Sequence, residues 1–385
     1  MKNVIKYTIF LFALMFSYCA YSDALVDSVK LWGQCIALTN DAEYTEALDC
    51  FNKSIKLTPN KASPYIGKGI LLNKTGKYKE AIESFDKSIE LMPNKSMPYI
   101  GKGVSLNKLG KYQDAITQFN KALEISVSDP RIYIGKSASL YHLGKHKEAL
   151  ECCDQGLSYA DKEASLYNTK GAALGDLERY QEAIENFDKS IELMPNKNNS
   201  YVGKGDVLNK LGKYKQAIIQ YDKALKISAS DSLYINKASA LMRAERYKEA
   251  LDTCNKGLEF KQHPYLYNTR GAALGALDRY EEAIDSYNQA IALDPNYFEP
   301  YQNKFCPLRN LKRYQEALET CDKAIALEPN RHNIYEIHTN RALALNKLER
   351  YKEAIEAAET ALKGMPNYGL AINAKKYALQ ELSKD

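Results

Sequence analysis

The chain has 385 residues, 45% hydrophobic and 26% charged, the balance of a folded globular or repeat protein and not of a disordered, collagenous or membrane-embedded one. Its formal charge of +5 includes Lys2 and Lys6, which lie in a segment expected to be removed. The remainder is too small to argue for a nucleic-acid partner.

Residues 1–22, MKNVIKYTIFLFALMFSYCAYS, carry two lysines, an apolar run from Tyr7 to about Tyr18 and small residues at Ala20 and Ser22. This is the pattern of a cleaved secretory signal and predicts export to the periplasm or the medium. The run is short for a membrane span. The alternatives are an uncleaved anchor and lipid attachment at Cys19, against which the bulky Tyr18 stands; membrane association is expected only if this segment is retained or lipidated.

From residue 28 one pattern recurs with a period near 34. Its clearest copy is residues 164–197, where Tyr167, Gly171 and Leu174, then Ala183, Phe187 and Ser190, fall at i, i+4, i+7 and mark two amphipathic helices. Residues 176–179 separate them, and Pro195 with Asn196 stops the second. A single helical hairpin buries little, so each copy must be covered by the next. Ten units begin at 28, 62, 96, 130, 164, 198, 231, 264, 298 and 335 and fill residues 23–368. The alanine equivalent to Ala183 is present in every unit; the slot of Gly171 is small in nine, which predicts close approach of two helix axes. Units three to five, residues 96–197, match units six to eight, residues 198–297, as if a three-hairpin block were duplicated.

Along the array several places stand out. Trp32, the only tryptophan, is read as packing in the first hairpin. Cys35 sits in the slot of Gly171, and Cys153, Cys254 and Cys321 in that of Phe187, places suited to cysteine as a small buried apolar group; a Cys35–Cys50 link within one hairpin is the disulfide to test first. Unit nine puts Phe305 in the small slot and Pro307 inside the first helix, and a linker three residues longer comes after it. A bend or loosened joint between about 298 and 334 is one expectation and local repacking the other. Residues 369–385 supply a single amphipathic helix and tail, read as the terminal cap.

An early aromatic, a small residue then leucine, then alanine, aromatic and proline at this period resembles the tetratricopeptide repeat family, and the match runs from 28 to 368. The resemblance implies an all-α, right-handed α-solenoid of about ten helix–turn–helix units with a capping helix, whose first helices line an inner face that grips a protein or peptide.

No histidine, cysteine or carboxylate grouping calls for a metal, a cofactor or catalysis, and the glycine–lysine pairs at 76, 110, 144 and 212 lack the phosphate-loop form and read as helix ends. The chain is therefore expected to be a non-enzymatic scaffold, with a carbohydrate-binding or envelope-associated factor as the alternative; its oligomeric state is left open. Candidate binding residues on the inner face are Asn73, Asn107, Asn168, Asn209, Asn236, Arg243, Asn268, Asn303, Arg309, Asn340 and Asn346. Asparagine both donates to and accepts from a peptide backbone, and it is a mediocre helix former at places without evident packing value. The family's carboxylate clamp is not matched, since Ile66, Gly67, Ile100 and Gly101 stand where its cations would be. Gly67, Gly101, Gly135 and Gly203, in the recurring YIGKG and its variants YIGKS and YVGKG, are expected to widen the groove.

Overall fold

A computed structural model describes residues 30–384, which form twenty-one helices with no strand among them. The expected leader, residues 1–22, and the start of the first unit lie outside the described residues. The chain divides into two compact runs, one ending at Pro195 and one beginning at Asn196.

The first run holds α1 (residues 30–40), α2 (Tyr44–Leu57), α3 (Ala62–Lys74), α4 (Tyr78–Leu91), α5 (Ser96–Lys108), α6 (Tyr112–Ile125), α7 (Pro130–His142), α8 (His146–Tyr159), α9 (Ala164–Asp176) and α10 (Tyr180–Leu193). The second holds α11 (Asn198–Lys210), α12 (Tyr214–Ile227), α13 (Asp231–Arg243), α14 (Tyr247–Phe260), α15 (Pro264–Ala276), α16 (Tyr280–Leu293), α17 (Phe298–Asn310), α18 (Tyr314–Leu327), α19 (Ile334–Lys347), α20 (Tyr351–Gly364) and α21 (Gly369–Leu382). Odd-numbered helices are the first helices of the hairpins and even-numbered ones the second.

The turn between paired helices has one geometry throughout. In the second unit the Lys77 amide donates to the Leu72 carbonyl at 2.8 Å across a left-handed residue, Gly76, at φ 78°, and so closes the end of α3. Gly110, Gly144 and Gly212 do the same, whereas Glu178, Glu245, Asp278, Lys312 and Glu349 hold this conformation with a side chain attached, at φ 57–61°.

Hairpins are locked to one another by aromatic rings. Phe85 of α4 is fully buried between Gly69 of its own hairpin and Gly101 of the next: a Cβ added to either would come within 2.7 and 2.3 Å of the ring. Phe119 lies in the same way between Gly103 and Gly135, and Phe51 packs on Gly67. The two glycines of the GKG motif are thus sockets for two different rings. Gly67, Gly101 and Gly135 do not open a groove, contrary to the sequence expectation; rings fill the space their side chains would take. The slot of Gly171 is likewise small because an aromatic ring of the second helix occupies it. Where the second helix offers cysteine the slot is refilled, as Ser137 opposite Cys153 and Ala238 opposite Cys254.

Unit nine carries this exchange to its limit. Phe305 is buried in one core cluster with Cys321, so bulk has moved from the second helix to the first at nearly constant volume. Helix α17 runs unbroken through Pro307 for 13 residues, the length of its counterparts. The longer linker is fastened: Arg331 pairs with Glu299 at 2.8 Å and Glu328 at 3.1 Å, and its guanidinium lies 4.1 Å from the centre of the Phe298 ring. Repacking, not a loosened joint, accommodates the irregularity.

The lysine immediately before the small slot adds an ionic tie to the hairpin before it, as in Lys102–Asp86 and Lys170–Asp154, and Lys237–Asp222 repeats it in the second run. Half-exposed pairs of this kind contribute at most about 1 kcal/mol each, so they set register more than stability. At the N-terminal end Cys35 of α1 and Cys50 of α2 form a disulfide.

Within each run successive first helices from α3 onward touch one another, while among the described residues no two second helices do. The first helices therefore lie on the tighter, inner side of each run. No described helix is long and apolar enough to cross a membrane.

Candidate functional site: the first-helix face

Two faces of each first helix are consumed by packing, one by its own second helix and one by the neighbouring hairpin. What is left is a stripe three residues before, one after and five after the small slot. In α1, α3 and α5 these places hold Trp32, Ile36 and Asn40, then Ile66, Ile70 and Lys74, then Ile100, Val104 and Lys108, of which Ile100 alone is buried. At the N-terminal end of the first run the stripe encloses a concavity of about 420 Å³, walled by Trp32, Ile36, Ile66, Ile70 and Met97. Phe51 and Gly67 also line it, the ring seated on the glycine.

Trp32 and Ile70 are each 39% exposed in this concavity, so the packing expected of Trp32 in the first hairpin leaves part of its side chain open to this space. Two cations stand at its edge, Lys74 in the last turn of α3 and Lys95 immediately before α5. Both are exposed.

The sequence-derived candidates divide by what their side chains touch. Asn73 donates from Nδ2 to the Gly101 carbonyl at 3.2 Å and accepts from the Ser105 hydroxyl at 2.7 Å. Asn107 repeats this with the Gly135 carbonyl at 3.0 Å and Ser139 at 2.7 Å. Asn346 donates to the Ala374 carbonyl of the cap at 2.9 Å. These three carboxamides tie one first helix to the next, which is the packing role that the sequence reading did not find for them. Asn209 occupies the same place; its Oδ1, like that of Asn346, is buried without a donor.

In the second run Asn236 donates to Asp206 Oδ1 at 3.1 Å, and the Tyr221 hydroxyl donates to the same oxygen at 2.7 Å. Asp206 is held above its ordinary pKa by burial, opposed by the bond from Tyr221, by Lys210 and by Asn236. Asn268 and Asn303 are brought together at 3.1 Å, and Asn268 also donates to the Tyr297 hydroxyl at 3.2 Å. Arg243 and Arg309 are exposed on the face, the latter 6.0 Å from the centre of the Phe305 ring. Asn168 and Asn340 are half-buried. None of these residues reaches the apolar concavity.

The residues that sequence reasoning passed over are therefore Trp32, Ile36, Ile66, Ile70 and Met97. The available signal was branched apolar residues recurring at the same place of successive first helices. The buried thiols offer no competing chemistry: desolvation pushes Cys152 up to about 11 and Cys153 and Cys254 up to about 12, so all stay protonated at neutral pH. Among the described residues no three potential ligands cluster as a metal site would require.

Family models described as tetratricopeptide repeat match residues 62–95, 100–163, 162–230, 264–297, 308–331 and 335–363, together more than half of the chain. No curated protein matches the sequence. Among solved structures, the chain is similar to one from the APC/C hetero-tetramer Cut9–Hcn1, 17% identical over 91% of this chain and 83% of that one with a TM-score of 0.49. It is similar also to a tetratricopeptide repeat protein from Parabacteroides merdae, 18% identical over 64% of this chain and 98% of that one at 0.48. YrrB, described as a TPR protein with an unusual peptide-binding site, is 22% identical over 51% and 97% at 0.39. Ten alignable hairpins, the shared turn and the family matches lead to one assignment: the chain belongs to the tetratricopeptide repeat family.

Proposed function

We propose that the protein is a non-enzymatic scaffold that holds a protein or peptide partner on the face formed by its successive first helices. One observation carries this reading: Trp32 and Ile70 leave 39% of their surface in a concavity on that face, where the fold has no use for them and where exposed apolar area favours association. The protein is also proposed to be exported, residues 1–22 acting as the leader; the Cys35–Cys50 disulfide supports an oxidising compartment.

A photo-crosslinking residue placed at Ile70 or Arg309 on first helices, and at Glu83 or Glu185 on second helices, tests the face. Polypeptide adducts from the exported fraction at the first pair alone are expected. Adducts at the second pair alone would overturn the assignment.

A further inference from the structure

If the first-helix face holds a partner, the lining of its concavity selects that partner's chemistry, so the inference rests on the scaffold reading. The walls are mostly aliphatic or aromatic, Trp32, Ile70 and Met97 among them, Thr39, Asn40 and Ser63 being the neutral polar members, and among the described residues no carboxylate lines the space. Lys74 and Lys95 flank it, and among the described residues neither makes an ion pair, whereas Lys102 and Lys170, each immediately before the small slot, are matched to aspartates. An apolar hollow edged by two unmatched cations complements an apolar side chain beside an anion. About 420 Å³ suits one aromatic or branched aliphatic side chain with its adjoining backbone.

We propose that this concavity takes a bulky apolar side chain of an extended peptide, with carboxylates on the neighbouring residues pairing to Lys74 and Lys95. Burial of the side chain supplies most of the affinity, because half-exposed ion pairs contribute little. The lysines supply selection: they exclude a peptide that brings cations to the same place.

Trp32 is the only tryptophan of the chain, so its emission reports the site directly in the full-length, disulfide-bonded protein. Three capped hexapeptides are titrated: one with a phenylalanine flanked by aspartates, one with alanine in place of phenylalanine, and one with lysines in place of aspartates. The first is expected to blue-shift Trp32 saturably, the alanine peptide to bind about 10- to 100-fold more weakly, and the lysine peptide to give no saturable shift. The double variant Lys74→Glu, Lys95→Glu, altered only at exposed positions, is expected to invert the preference between the aspartate and lysine peptides. Equal binding of the aspartate and lysine peptides overturns the proposal, as does a shift produced by phosphatidylglycerol vesicles and by no peptide. In either case crosslinks at Ile70 would leave the scaffold face standing, and crosslinks confined to Glu83 and Glu185 would remove both readings.

Discussion

The Ser105 hydroxyl donates to Asn73 Oδ1 at 2.7 Å, joining two consecutive first helices through side chains 32 residues apart. Ser139 does the same for Asn107. In the seventh unit the matching place is Ala240 and in the cap Ala378, both fully buried, and the two asparagines they should serve, Asn209 and Asn346, are the ones left with a buried Oδ1 lacking a donor. Replacing Ala240→Ser or Ala378→Ser supplies that donor. Each is expected to raise stability by about 1 kcal/mol, and Ser105→Ala to lower it by about 1–3 kcal/mol, since an orphaned buried acceptor costs more than a bond returns. Urea unfolding midpoints at constant m measure both; no gain from either serine would mean that the acceptors are not deprived.

Gly101→Ala separates the two roles considered for that glycine. If it opened onto a groove, alanine would improve helix stability by about 0.8–1 kcal/mol. With the Phe85 ring 2.3 Å from the added methyl, a loss of about 1–3 kcal/mol is expected. Gly33, with nothing within 4 Å of the same addition, is the control, and Gly33→Ala is expected to stabilise α1. Thermal unfolding of the two variants side by side decides the matter.

Left-handed turn residues should respond in the opposite sense. Glu349 sits at φ 60°, where a side chain costs about 1–2 kcal/mol that glycine avoids. After the entropy glycine adds to the unfolded chain, Glu349→Gly is expected to gain roughly 0.5–1 kcal/mol. Gly110→Ala, at φ 74°, is expected to lose about as much. Equal melting temperatures for native and Glu349→Gly protein would contradict this.

The Cys35–Cys50 disulfide closes a 15-residue separation, for which loop entropy predicts about 3 kcal/mol of stabilisation. Because each hairpin contacts only its neighbours, the effect should stay at that end. Hydrogen exchange with and without a reductant is expected to show faster exchange over α1 and α2 and unchanged protection in α11 onward. Protection lost uniformly along the chain would refute the local picture.

Asp206 predicts a pH dependence with a definite sign. Burial, the main cause, holds its pKa above the ordinary carboxyl value, so the folded chain binds this proton more tightly than the unfolded one. The contribution is most favourable below the ordinary carboxyl pKa, declines as pH rises toward the folded value, and is fully lost above it. Asp206→Asn keeps an acceptor for Tyr221 and removes the titration. The stability of this variant relative to the native chain is expected to improve between about pH 4 and pH 7, read as the difference in urea midpoints; a pH-independent difference would show that the carboxyl is not raised.

The repeat itself was legible in the chain alone, because a hairpin that must bury one stripe per helix constrains Tyr167, Gly171, Leu174, Ala183 and Phe187 by local periodicity, and that constraint is repeated ten times. First helices beginning at Ala62, Ser96 and Pro130 come from the same spacing. What each constrained residue faces was not legible. Gly69 and Gly101 look alike in sequence, yet both serve Phe85, one from its own hairpin and one from the next; Asn73 looks like a free polar group until Gly101 and Ser105 come within bonding distance. Periodicity fixes the direction in which a side chain points, while the identity of its neighbour, some 16 to 32 residues away, is settled only when helices pack. The apolar concavity is hidden for the same reason. Trp32, Ile70 and Met97 belong to three units and no single copy of the repeat contains it, so only the stacking of α1, α3 and α5 makes a surface of them.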